Sequence, residues 1–137
     1  MMAGYSGKPF VEKLGIKPGA KALISGAPRG YRKTLGELPP GARWVANGSG
    51  PFRFIQLFVR SVADLSSTFP MMKKALAQDG MLWVSWPKRT SSAKTDLDEN
   101  TIRDAGLALG LVDVKVCAVD ETWSGLKFVI PLKSRSR

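Results

Sequence analysis

The side chains best equipped for chemistry in this sequence are cations and aromatics placed beside turns. Ser25-Gly26-Ala27-Pro28-Arg29-Gly30 follows one apolar run and leads into Tyr31; Arg60 closes a second run; Trp86-Pro87-Lys88-Arg89 closes a third. If those runs are strands of one parallel sheet, their carboxyl ends meet along a single rim, where open α/β sheets take their ligands. Arg29, Arg60, Lys88 and Arg89 then converge, and such groups match phosphate or carboxylate oxygens. Tyr31 and Trp86 supply rings that stack on a base or ring, and Trp123, in the hairpin loop, either caps the sheet or lines a cleft. The candidate ligand-binding residues are therefore Ser25, Gly26, Arg29, Tyr31, Arg60, Trp86, Lys88, Arg89 and Trp123, and the expected partner is a small anion or nucleotide. A plainer reading of the cations is that Arg60 and Lys88 solvate loop ends or pair with Asp64, Asp96 and Asp120.

Other chemistry is thin. The chain has no histidine and a single cysteine, which removes histidine general bases, Ser-His-Asp triads, Cys/His zinc sites and intramolecular disulfides. Cys117 lies in Val-Lys-Val-Cys-Ala-Val, the setting of a buried structural thiol rather than an exposed nucleophile. Asp120 and Glu121 are sequence neighbours, a poor arrangement for a catalytic acid and base. No catalytic residue, metal or cofactor is expected from these residues. Trp44 and Trp83 read as core or sheet-face residues, and Met71 and Met72 as packing between helices.

The 137 residues leave room for one domain, expected over 1–132 with a short basic disordered tail at 133–137. Of the net charge of +10, the stretch 1–60 carries +8, from ten bases against two acids, whereas 61–137 carries +2. A basic excess confined to one part of the chain attracts anions. Basic and aromatic residues are not interleaved as on a single-strand binding platform, so nucleic acid ranks below a small ligand. No apolar run approaches the roughly 20 residues that span a bilayer, and the first ten residues lack the apolar core of a signal peptide. A soluble, cytoplasmic protein with no membrane partner is expected; its oligomeric state is not legible.

Apolar spacing and turn residues place the elements. Ser6–Gly15 reads as a short helix, Ala20–Gly26 as a buried strand, and 27–36 as a short helix or structured loop before Pro39-Pro40-Gly41. Arg43–Ala46 and Phe52–Val59 read as strands, the second central because it is nearly all apolar and rich in β-formers. Val62–Gln78 is an amphipathic helix in which Pro70 must fall early or mark a break, with Asp79-Gly80 closing it. Met81–Trp86 is a strand, and Asp98–Leu109 a helix with acids at its start and Gly110 at its end. Leu111–Val119 and Leu126–Leu132 are strands too close in sequence for anything but an antiparallel pair. The fold class is a three-layer α/β/α Rossmann-like arrangement, a mostly parallel sheet with a C-terminal antiparallel hairpin.

This element order resembles a truncated S-adenosylmethionine-dependent methyltransferase fold. Three stretches, Gly4-Tyr5-Ser6-Gly7-Lys8-Pro9, Leu82-Trp83-Val84-Ser85-Trp86-Pro87-Lys88, and Gly110 to Asp120 with Trp123-Ser124-Gly125-Leu126-Lys127, resemble a family of small bacterial proteins known as domain-of-unknown-function family three-thousand-fifty-two. The second resemblance spans almost the whole chain and implies a fold without an established activity. The first implies a glycine-rich turn after the first strand and an acid after the second to accept the ribose hydroxyls. Here Pro28 removes an amide donor from the turn, Asn47 stands at the end of the second strand, and no Asp or Glu occurs between Glu37 and Asp64. Two functions follow as expectations: a non-catalytic binding or regulatory module with a basic rim, or a divergent methyltransferase or other transferase that would draw on Asp120 or Lys88.

Overall fold

The computed structural model describes residues 10–88 and 95–135. Alternating apolar runs and amphipathic stretches become α1 (Phe10–Leu14), β1 (Lys21–Ser25), α2 (Tyr31–Leu35), β2 (Arg43–Val45), β3 (Phe52–Phe58), α3 (Val62–Lys74), β4 (Leu76–Pro87), α4 (Glu99–Ala108), β5 (Val112–Ala118) and β6 (Trp123–Val129). A 3-10 turn, Leu132–Ser134, follows, and Arg135 Nε donates to the Ile130 carbonyl at 2.9 Å. The six strands form one sheet in the order β2-β1-β3-β4-β6-β5. β1 pairs parallel with β2 and β3, and β3 with β4, while β6 runs antiparallel to both β4 and β5. The hairpin is therefore folded back on itself: its second strand inserts beside β4 and leaves β5 as the edge.

Two apolar layers cover the sheet. Leu23, Ile55, Leu57, Leu82, Val84, Leu126 and Phe128 point to the side of α3 and α4, where Leu65, Phe69 and Ile102 meet them. Ile24, Phe54, Phe58, Trp83 and Trp123 point to the other side, under α1 and α2 with Phe10, Val11, Leu14, Tyr31 and Leu35. Strand side chains alternate between faces, so each buried strand feeds both layers. The helices start and stop on local signals. Ser61 Oγ accepts from Asp64 N at 3.0 Å to cap α3, and Asp98 Oδ1 accepts from Thr101 N at 2.8 Å to cap α4. After Gly110 the chain turns back, with Leu111 N donating to the Gly106 carbonyl at 2.9 Å.

The boundaries that differ most from the sequence reading are the end of α3, the start of β4 and both ends of β6, which stops at Val129 rather than Leu132. α3 passes through Pro70 without a break and ends at Lys74, not near Gln78. The residues expected in its last turn begin β4 instead, because Phe52 N donates to the Ala75 carbonyl at 2.7 Å and Leu76 pairs with Phe52; a buried parallel partner outweighs helix periodicity. β6 starts three residues earlier than expected, since Trp123, Ser124 and Gly125 pair with Pro87, Trp86 and Ser85 of β4. No helix among the described residues is long and apolar enough to cross a membrane.

Candidate functional site

The chain passes from β1 to β2 on one side and then to β3 on the other, so the topological switch point lies between the carboxyl ends of β1 and β3. That is where a ligand of an open α/β sheet binds. Ser25 ends β1 half-buried, paired with Leu57. Gly26 follows at φ +73°, and a Cβ there would stand 2.7 Å from the Phe58 carbonyl oxygen, so only glycine lets the turn lie against the end of β3. Pro28 accepts at its carbonyl from Tyr31 N at 3.1 Å, and α2 begins.

Tyr31 is not a rim residue. It is 2% exposed, and its hydroxyl donates to Gln56 Oε1 at 2.6 Å, while Gln56 Nε2 donates to Ser85 Oγ at 3.4 Å. Burial pushes the Tyr31 phenol well above its ordinary range, the Gln56 hydrogen bond opposing this in part. The Tyr31 ring lies edge-on to Phe58 at 4.7 Å and to Trp44 at 5.9 Å, and Phe58 lies edge-on to Trp123 at 5.1 Å. A row of four rings, Trp44, Tyr31, Phe58 and Trp123, thus runs beneath the strand ends. A guanidinium closes each end of the row: Arg32 Cζ is 4.6 Å from the Trp44 ring centre and Arg60 Cζ 5.1 Å from that of Trp123.

Trp86 is buried in the opposite layer with Val84 and Leu97, so it does not face the rim. Neither Tyr31 nor Trp86 is free to stack on a ligand, and Trp123 offers only the ring already facing Arg60. Of the cations, Arg29 is exposed on the β1–α2 loop. Arg60 is exposed beside Trp123, its N–H donating to Asp64 Oδ2 at 3.0 Å and its carbonyl accepting from Thr95 Oγ1 at 2.9 Å. Lys88 is half-buried and continues the β4–β6 pairing, with its N–H donating to the Thr122 carbonyl at 2.7 Å. Arg60 and Lys88 therefore flank Trp123, Arg29 sits across the switch point, and Arg89 lies outside the described residues.

Carboxylates occupy much of this end of the sheet. Val62 N, in the first turn of α3, donates to Asp96 Oδ1 at 2.8 Å, so the helix start, which attracts anions, already holds one. Asp120 Oδ1 accepts from the N–H groups of Thr122 and Trp123, both at 2.8 Å, and so shapes the hairpin turn. A broad cleft of about 1820 Å³ opens from Lys88 toward α1 and α2; Lys17, Lys33 and Lys88 line it together with Glu12, Glu37, Asp120 and Glu121. The basic pocket read from the sequence is a mixed one here. Among the described residues no group of His, Cys, Asp or Glu could hold a metal ion. Gln56 and Ser85 were missed in the sequence, although Gln56 is the one uncharged polar residue inside Phe-Arg-Phe-Ile-Gln-Leu-Phe and shares the phase of Phe54 and Phe58.

Solved structures supply the comparison. A SAM-dependent methyltransferase from Aquifex aeolicus is similar with a TM-score of 0.62 at 13% identity, over 88% of this chain and 87% of that one. The fold is methyltransferase-like. A ribosomal protein L11 methylase from Lactobacillus delbrueckii subsp. bulgaricus is similar with a TM-score of 0.57 at 14% identity, over 93% and 75% of the two chains. A TehB-like SAM-dependent methyltransferase from Corynebacterium glutamicum has a TM-score of 0.56 at 15% identity, over 88% and 85%. No family model and no curated protein matches the chain. In this methyltransferase-like sheet the residues present do not fit an adenosyl cofactor. β2 is three residues long and leads into exposed Asn47 rather than the acid that would accept the ribose hydroxyls.

Proposed function

We propose that this chain is a non-catalytic binding or regulatory module on a methyltransferase-like sheet, with a rim at Arg29, Arg60 and Lys88 that takes a small anion or nucleotide. The observation that carries the reading is a cationic rim without a ribose acceptor: Arg60 is exposed at the end of β3, whereas exposed Asn47 stands after β2 where an adenosyl cofactor's ribose needs an acid, so the rim suits a ligand held by its phosphate. Catalysis lacks an actor on the same grounds. Asp120, the one carboxylate of the hairpin turn read as an actor, is committed to two turn amides. Arg60 remains the residue best placed for an anion, because its guanidinium is oriented over an indole and faces solvent.

Calorimetric titration tests this directly. Adenosine monophosphate or inorganic phosphate is expected to bind, with Arg60→Ala weakening binding by about tenfold, the scale of one charge-assisted hydrogen bond. S-adenosylmethionine is expected to give no saturable heat. Tight, stoichiometric binding of S-adenosylmethionine would instead establish the second reading, a divergent methyltransferase, which the similarity over 88% of the chain favours.

A further inference from the structure

The α1 side of the C-terminal hairpin carries charge that the rim does not use. The strand register sets Lys115 of β5 directly opposite Lys127 of β6, and Lys127 opposite Trp83 of β4. Residues directly opposite in an antiparallel pair share a face, so both lysines rise from the face that holds Trp83 and α1. The end of α1 reaches the same place: Trp83 Nε1 donates to the Leu14 carbonyl at 2.8 Å, which brings Lys13 and Lys17 alongside. Lys127 is held below the ordinary lysine range, first by burial, then by the charges of Lys115 and Lys17. Burial likewise pushes the Cys117 thiol up, with Lys115 and Lys13 opposing it. No carboxylate is among the charges acting on either group.

Seven of the eleven acids are committed elsewhere. All eleven lie in the described residues. Glu99 and Asp113 hold Arg103, and Asp79 holds Arg53. Asp64, Asp96, Asp98 and Asp120 accept from backbone N–H groups. Among the described residues no ion pair involves Lys13, Lys17, Lys115 or Lys127. Like charges directly opposite across strands are destabilising, so the fold keeps Lys115 and Lys127 together against their repulsion. An anion seated between them would offset it.

We propose that Lys115 and Lys127, with Lys13 and Lys17 from the end of α1, form a binding site for a small polyvalent oxyanion of the phosphate class, distinct from Arg29 and Arg60 of the strand rim. Lysines suit such a ligand, since each ammonium is a mobile point charge with three donors. The test uses inorganic pyrophosphate, with sodium chloride at matched ionic strength as the control. Pyrophosphate is expected to raise the melting temperature by about 3 °C or more at saturation, and chloride to raise it by less than half as much. Amide resonances of residues 13–17, 112–118 and 123–129 are expected to move on titration. Lys115→Gln is expected to raise the melting temperature without pyrophosphate, by removing a like charge, and yet to weaken pyrophosphate binding by about tenfold. A lysine that merely packs would not show those opposite signs. Arg60→Ala, which alters the rim, is expected to leave the hairpin resonance shifts unchanged. The proposal is overturned if Lys115→Gln/Lys127→Gln binds pyrophosphate as the parent does. Shifts confined to the rim would overturn it too, as would single-stranded DNA binding to this face where pyrophosphate does not.

Discussion

The two faces of the sheet are built on different physics. Under α3 and α4, helices of 13 and 10 residues close a layer of aliphatic and aromatic side chains, and Gly106 lies so close to Phe128 that a Cβ there would collide with its ring. Under α1 and α2 the helices contribute Phe10, Val11, Leu14, Tyr31 and Leu35 to a layer rich in rings. That side carries the two fully buried polar side chains, Gln56 and Ser85, the aromatic row and the opposed lysines. The first face stabilises by apolar burial, which tolerates no gaps. The second adds directional polar and ring contacts to its apolar burial. The difference suits the proposals above: the α3–α4 side is the one expected to set stability, and the α1–α2 side carries the proposed lysine site.

The sharpest way to break that contrast is Phe128→Ala. The ring is fully buried and packs 5.3 Å from Phe69, so its loss should cost about 3–5 kcal/mol in urea unfolding. A cost near zero would show that the α4 side is not the stabilising one. On the opposite face, Gln56→Leu should cost about 1–3 kcal/mol, because it strands the Tyr31 hydroxyl. Adding Tyr31→Phe removes the stranded group, so the double variant should be more stable than Gln56→Leu alone. Additive losses would mean that the polar chain contributes no coupling. The smallest effect concerns pH. Lys127 has a lowered folded pKa, so between that value and its unfolded value the unfolded chain binds more protons, and stability rises with pH. The melting-temperature advantage expected of Lys127→Met at pH 7 should therefore shrink as pH approaches about 10.4, and an advantage that grows would reverse the assigned sign.

Much of the fold was legible from local pattern. The nearly unbroken apolar run at Phe52–Phe58 announced a central strand, Ser61 and Asp98 stand where helix caps belong, and short spacing required β5 and β6 to pair antiparallel. The candidate site was legible only in part. Arg60 and Lys88 do come to the same end of the sheet, flanking Trp123, but the stacking roles read for Tyr31 and Trp86 do not survive their burial. A ring's type says that it can stack, whereas its availability depends on which layer the strand phase turns it into.

What the residues determine by themselves is the α/β class, the parallel sense of the first four strands and the absence of an acid after β2, because periodicity, turn chemistry and residue identity act within a few positions. Tertiary structure alone decided that β6 lies inside the sheet, that Leu76 leaves the helix for β4, that Gln56 accepts from Tyr31, and that Lys115 faces Lys127. Each of those joins residues from separate elements, and strand register and long-range burial rank such pairings by energies that no local window contains.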